Sequence, residues 1–167
     1  MACFPADATR YDVFLSFRGE DTRHTITDHL YAALVRAALV TFRDNEDIDC
    51  GQELKPEIDR AIKASEASVI VFSKNYATST WCLDELSLIL QQRSENNHFV
   101  LPVFYHVDPS DVRNQTKSFS IKAKSNTRWT KDNVMRWKIA LTKAANLSGL
   151  VLSGYVFFFF FYTYSVK

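Results

Sequence analysis

The sequence predicts a doubly wound α/β fold, a parallel sheet with helices packed on both of its faces. Three observations predict it. Short runs rich in β-formers alternate with segments whose apolar residues recur at helical spacing. The strand-like runs are nearly continuously apolar, as strands covered on both faces must be. The segments between successive runs are long enough to carry a helix back across the sheet, which parallel strands require and hairpins do not.

The first strand is residues 11–17 (YDVFLSF), followed by a polar break, RGEDTR. Ile26, Leu30, Ala33, Leu34 and Ala38 then recur at helical spacing and predict an amphipathic helix of about four turns. Residues 39–43 (LVTFR) read as a second strand and residues 45–52 as a polar loop containing Gly51. Pro56 suits the first turn of a helix whose apolar stripe is Ile58 and Ile62. Residues 67–73 (ASVIVFS) form the clearest buried strand. After the turn KNYATST, a helix spans about residues 81–93, with Cys82, Leu86, Ile89 and Leu90 inward and Ser79 or Thr80 as its cap. Residues 99–107 (FVLPVFYHV) form a fourth strand. Pro102, lacking an amide donor, predicts an edge or bulged position there. The last helix spans about residues 133–147, with Val134, Trp137, Leu141 and Ala145 on one face.

At 167 residues the chain is long enough for one sizeable core. Its formal net charge is +1, but residues 113–143 carry +8 and the remainder −7. Such a stretch fits a solvated helix face, an acidic partner, anionic lipid or nucleic acid. Cys3, Cys50 and Cys82 make no disulfide framework or zinc pattern, and His24, His29, His98 and His106 lack metal-ligand spacing. Reduced thiols and a metal-free, cytoplasmic protein are the expectation. The N-terminal residues have no long apolar run and form no secretory signal.

In open parallel sheets, ligands bind beyond the carboxyl ends of the strands, where the strand order reverses. With the flavodoxin-like order 2-1-3-4-5, the loops after the first and third strands flank that crevice. Fold logic therefore brings Arg18, Gly19 and Arg23 near Ser79, Trp81 and Glu85. Arginine's planar fork suits a pyrophosphate, and Gly19 allows a close backbone approach. Trp81 and Glu85 lie four apart, on one helix face. Trp81 offers a stacking surface, and Glu85 a carboxylate to a ribose whose anomeric carbon becomes positive. The same residues also fit a structural role: acidic residues favour a helix N-terminus, and Trp81 could belong to the core. The site reading places Glu85 at the crevice rim, partly exposed. Gly19, Gly51, Gly149 and Gly154 form no phosphate-binding motif, which argues against a dinucleotide-dependent dehydrogenase or a P-loop enzyme.

The blocks YDVFLSFRGEDTR, TFRD with Gly51, VIVFSKNYATSTWCLDEL, VLPVFYHVDPSDVR and ALTKAANLSG resemble, in order, the signature blocks of the plant-type Toll/interleukin-receptor homology (TIR) domain. The resemblance implies the flavodoxin-like sheet and cleavage of NAD or NADP, as substrate rather than cofactor, at the nicotinamide–ribose bond. It implies Glu85 as the catalytic glutamate and Phe17, Arg18, Gly19, Arg23, Asp44, Ser79 and Trp81 as substrate contacts. It further implies self-association around Asp28 and His29 and through the loop that holds Gly51, partnership with other TIR-containing proteins, and a role in plant immune signalling. Three positions depart from the pattern. The loop reads Asp49-Cys50-Gly51 where basic residues usually precede the glycine. The first-helix pair, often Ser-His, is Asp28-His29. The family's final strand and helix are replaced by LVLSGYVFFFFFYTYSVK.

The expected organisation is an extension over residues 1–10, a TIR domain over 11–149 and an apolar aromatic tail over 150–167. That tail reads either as a membrane anchor facing the cytosol, through residues 150–166, or as translation past a normal exon boundary. Two further functional readings stand beside the enzyme: an adaptor that associates without turnover, and nucleic-acid binding through residues 113–143 with Trp129 and Trp137 as stacking surfaces. Trp137 falls on an apolar helix stripe, so nucleic acid ranks last among the expected partners.

Overall fold

A computed structural model describes residues 10–43 and 54–153. Five parallel strands, β1 (Tyr11–Phe17), β2 (Thr41–Arg43), β3 (Ser65–Phe72), β4 (Phe99–Tyr105) and β5 (Leu150–Leu152), lie in the order β2-β1-β3-β4-β5. The order reverses at β1, so β1 and β3 are the central pair, in register from Tyr11 opposite Ser65 to Phe17 opposite Val71. The connecting helices are α1 (Gly19–Thr22), α2 (Asp28–Arg36), α3 (Leu54–Lys63), α4 (Thr80–Asn96), α5 (Pro109–Asn114) and α6 (Lys131–Ala145).

The period-2 pattern divides the core into two layers. Val13, Leu15 and Phe17 of β1, with Val69, Val71 and Val103, pack with Ile26 and the inner side of α2. Phe14, Ile70, Phe72, Val100 and Phe104 point to the opposite face, where Ile58, Ile62, Leu83, Leu86, Ile89, Trp137 and Leu141 from α3, α4 and α6 cover them. Fully buried side chains such as Phe14, Leu15 and Ile70 each stabilise the fold by about 1.5–3 kcal/mol relative to exposure.

Local chemistry sets the element ends. The Ser79 hydroxyl accepts from the Cys82 amide at 3.2 Å and caps α4, which ends where Asn97 turns left-handed at φ 55°. Asp108 caps α5 ahead of Pro109, and Thr130 caps α6 by accepting from the Asn133 amide.

Three expectations need correction. RGEDTR does not break the chain: Gly19–Thr22 is helical, with Glu20 and Asp21 placed where the helix dipole favours acids. The chain then kinks at Thr25 (φ −129°, ψ −114°), between Arg23 and Thr27, so α2 begins only at Asp28. β4 is neither an edge strand nor bulged, because it pairs in register with both β3 and β5, although Pro102 itself has no partner on the β5 side among the described residues. Pro102 keeps its register opposite Ile70 and lies one residue before the β5 pairing starts at Val103, where its missing amide is tolerated. Finally, the doubted last strand exists. Leu150 to Leu152, the first residues of the tail, pair with Val103 to Tyr105. Gly149 makes that approach possible: a Cβ there would sit 2.5 Å from the Pro102 carbonyl oxygen. The rest of the tail, residues 154–167, lies outside the described residues, and no helix among those described is long and apolar enough to cross a membrane.

One buried polar pair is expected to make the stability of the fold depend on pH. His98 Nε2 lies 2.7 Å from the hydroxyl of fully buried Ser68. Burial pushes the imidazole below its ordinary 6.5, against a smaller opposing effect of the hydrogen bond with the Ser65 backbone. The unfolded chain therefore binds the extra proton first. Stability should be complete above about pH 6.5 and decline as pH falls from there towards the lowered folded value. Urea unfolding between pH 7.5 and 5 should show this decline in the native chain and a flatter profile in His98→Gln; an equally steep profile in the variant would place the effect elsewhere.

Candidate active site

Ser16 is a polar residue inside an apolar strand, and strand parity points it to the same face as Phe14, towards α4. There it is completely buried, and its hydroxyl donates to Glu85 Oε2 at 2.8 Å. The Tyr76 hydroxyl lies 2.9 Å from Ser16 Oγ and 3.1 Å from the Cys82 carbonyl oxygen, to which it donates. Cys82 Sγ approaches the Phe17 carbonyl at 3.6 Å. The first two turns of α4 are thus tied to the last two residues of β1 by side chains that water does not reach.

Glu85 is therefore not a rim residue. It is 3% exposed, because the Ser79 cap sets α4 so that Cys82, Leu83, Glu85 and Leu86 all turn inward. A carboxylate there acts in a low dielectric, where its effect on a developing positive charge is stronger than in water.

The arginines arrive from the other side of the switch point. Arg18 continues β1 in extended conformation, pairs with Glu20 at 2.8 Å and keeps only 22% of its side chain exposed. Arg23 is 6% exposed, with its guanidinium 5.3 Å from the Phe17 ring centroid. At Gly19 a Cβ would lie 2.8 Å from Arg23 Nη2, so the glycine makes room for the guanidinium.

Asp21 holds the two loops of the crevice together. Its carboxylate accepts from the Ser73 hydroxyl at 2.6 Å, the Asn75 amide at 2.8 Å and Asn75 Nδ2 at 2.9 Å. Burial raises its pKa, but these hydrogen bonds and the nearby Arg18 charge together outweigh burial and hold the carboxyl below its ordinary 3.8.

Sequence reasoning placed Phe17, Arg18, Gly19, Arg23, Ser79, Trp81 and Glu85 at the carboxyl end of the sheet, and all seven lie there, Phe17 as the last residue of β1 and the others on the segments that follow β1 and β3. Trp81 is 36% exposed, with the Arg128 guanidinium 6.0 Å from its ring centroid. Asp44 and Gly51 lie outside the described residues. Asp28 is half-exposed and pairs with Arg43 at the end of β2, while His29 is exposed on α2. Trp137 is fully buried and Trp129 packs edge-on against it at 5.1 Å, so Trp137 offers no face to a nucleobase. Ser16, Tyr76 and Asp21 were missed. A lone serine at an inward-facing strand position was a readable signal for the first; the other two depend on tertiary geometry.

A doubly wound sheet in this order is the flavodoxin-like architecture, and here a buried carboxylate lies under its switch point. The family model described as "TIR domain" matches residues 10–155, and the chain belongs to the TIR domain family. It is similar to "Disease resistance protein RPV1" of Vitis rotundifolia, 55% identical over 141 residues that cover 84% of this chain and 10% of that protein. It is likewise similar to "TMV resistance protein N" of Nicotiana glutinosa, 48% identical over 142 residues that cover 83% of this chain and 12% of that one. Among solved structures, the TIR domains in "Structure of the activated Roq1 resistosome directly recognizing the pathogen effector XopQ" superpose with a TM-score of 0.76 at 48% identity, over 85% of this chain and 87% of that one. The chain spans about a tenth of the length of the curated relatives it matches.

The Asp21 contacts generate a test of how the crevice is held. Asp21→Ala removes one carboxylate that satisfies three donors, and should cost about 1.5–3 kcal/mol in urea unfolding at pH 7. Because the folded-state pKa is lowered, this contribution is present above about pH 3.8 and is lost as pH falls further through the folded value. The stability difference between the variant and the native chain should accordingly narrow as pH falls below about 3.8; a difference that stays constant would mean that the charge is immaterial.

Proposed function

We propose that this domain hydrolyses NAD or NADP at the nicotinamide–ribose bond, with Glu85 as the catalytic carboxylate, in signalling of the kind served by plant disease-resistance proteins. The observation that carries the reading is the hydrogen bond from Ser16 to the buried Glu85 at the carboxyl end of β1, beside Arg18 and the capped start of α4.

The chemistry needs little proton transfer at the leaving group. Nicotinamide is cationic while bonded to ribose and departs as a neutral base, so the bond breaks without prior protonation. Positive charge then accumulates on the anomeric carbon and ring oxygen. A fixed carboxylate lowers the energy of that state more than of the ground state, which is the condition for rate enhancement. Water adds to the anomeric carbon and loses its proton to solvent or to the carboxylate. Ser16 keeps Glu85 oriented, so little reorganisation accompanies the charge change. Arg18 supplies positive charge for the pyrophosphate, and Trp81 a surface for one of the rings.

A second reading, self-association, draws on a different observation. No residue of α2 is buried, and Ala32, Ala33 and Val35 lie exposed on it near half-exposed Asp28. The Roq1 TIR domains belong to an assembly named a resistosome, and we read the α2 face as a surface of the same kind. Contacts through it raise the local concentration of sites without altering Glu85.

Glu85→Gln is the variant to use, since Glu85→Ala would leave a cavity under the sheet. Nicotinamide release from NAD, followed chromatographically at high protein concentration, should fall on the order of 100-fold or more with the thermal midpoint nearly unchanged. Turnover retained in folded Glu85→Gln would remove Glu85 from the chemistry and favour the adaptor reading.

A further inference from the structure

Asp84 precedes Glu85 but meets a different set of partners. Its carboxylate is only 12% exposed and accepts from four donors on three segments. Lys55 Nζ from α3 lies at 3.1 Å, and from α6 come Arg136 Nη2 at 2.7 Å and Trp137 Nε1 at 3.0 Å. The fourth donor is Arg128, from the loop that leads into α6. Arg128 then continues outward, with its guanidinium over the Trp81 ring at 6.0 Å.

The four contacts do not do the same work. Arg136 and Trp137 already join α6 to α4 through Asp84, and Lys55 joins α3 to it. Arg128 adds no further helix to that clamp; what it reaches is Trp81. A half-exposed arginine normally samples many rotamers, and the entropy of fixing it offsets most of what a surface ion pair provides. Here the anchor is a nearly buried carboxylate already fixed by three other donors, so much of that ordering is in place before Arg128 binds. Its planar fork can then lie between the Asp84 carboxylate and the indole, a geometry that suits guanidinium better than ammonium.

We propose that Arg128 is a positioning residue for the candidate active site, anchored by Asp84 so that it covers one face of Trp81 and fixes the indole plane against which a substrate ring stacks. The proposal rests on the NAD-cleaving reading for its kinetic consequence, though not for its structural one. Because Trp81 contacts bound substrate rather than the breaking bond, losing its support weakens binding and leaves the chemical step alone. A residue that only stabilised the fold would not separate KM from kcat in this way.

The experiment compares Arg128→Gln, Arg128→Lys and the native chain in two readouts. In the first, nicotinamide release is measured against NAD concentration. Arg128→Gln should raise KM about two- to fivefold with kcat within about twofold, and Arg128→Lys, which keeps the charge, should recover part of the loss. In the second, acrylamide quenching of tryptophan fluorescence is measured in a Trp129→Phe background, with Trp81→Phe identifying the Trp81 component. That component should quench more readily in Arg128→Gln, while the buried Trp137 component stays the same. Unchanged KM together with unchanged quenching would overturn the proposal, as would a fall in kcat at constant KM. If Glu85→Gln keeps its turnover, the NAD-cleaving reading fails, and the quenching measurement alone then decides whether Arg128 fixes Trp81.

Discussion

The hydrogen bond between Ser16 and Glu85 joins β1 to the helix that follows its neighbour β3, at the point where the strand order reverses. Much of the site depends on that juxtaposition. Strand parity dictates that Ser16 faces α4, and the Ser79 cap fixes the rotation of α4 that turns Glu85 inward. Tyr76 then braces the pair from the turn after β3. A polar pair this deeply buried is costly unless satisfied. Such a pair makes the relation between β1 and α4 specific as well as stable, because a one-residue slip of either element would bury both groups without partners.

Charge is divided between the two sides of that pair. On the β1 side, Arg18 and Arg23 lie close to Phe17 and are organised by Glu20 and by the space at Gly19. On the α4 side, Asp84 gathers Lys55, Arg128 and Arg136. The strongly basic run over residues 113–143 thus has structural tasks: Arg113 donates to the Ala145 carbonyl, Lys117 pairs with Asp111, Lys124 lies over Trp129, and Arg128 and Arg136 meet Asp84. A sequence count of charge cannot show such pairing, because partners such as Ala145 and Asp84 lie far away along the chain.

The architecture was legible because its signals are local and redundant. Continuous apolar strands, the cap at Ser79 and the inward stripe of α6 each point to the same sheet, and their boundaries moved by only a few residues. The misreadings share a cause. RGEDTR looked like a loop because it lacks an apolar stripe, yet a short helix needs none when Asp21 is held by Ser73 and Asn75. Pro102 looked like an edge residue because the sequence does not reveal that β5 begins one position later. The exposure of Glu85 was misjudged for a related reason. Four-residue spacing from Trp81 gives the helix face, but how far that face sinks into the sheet is set by Ser16 and Tyr76.

The central claim is that Ser16 holds Glu85 for a reaction at the ribose, and the most direct test is kcat for nicotinamide release by Ser16→Ala at saturating NAD. The substitution removes one hydroxyl and adds no bulk. Losing a hydrogen bond to a charged group at a buried site should reduce kcat about tenfold or more. The pH and salt conditions should match those of the native chain, and the melting transition should remain cooperative. An unchanged kcat in folded Ser16→Ala would contradict the account, since the carboxylate would then need no support from the strand beneath it.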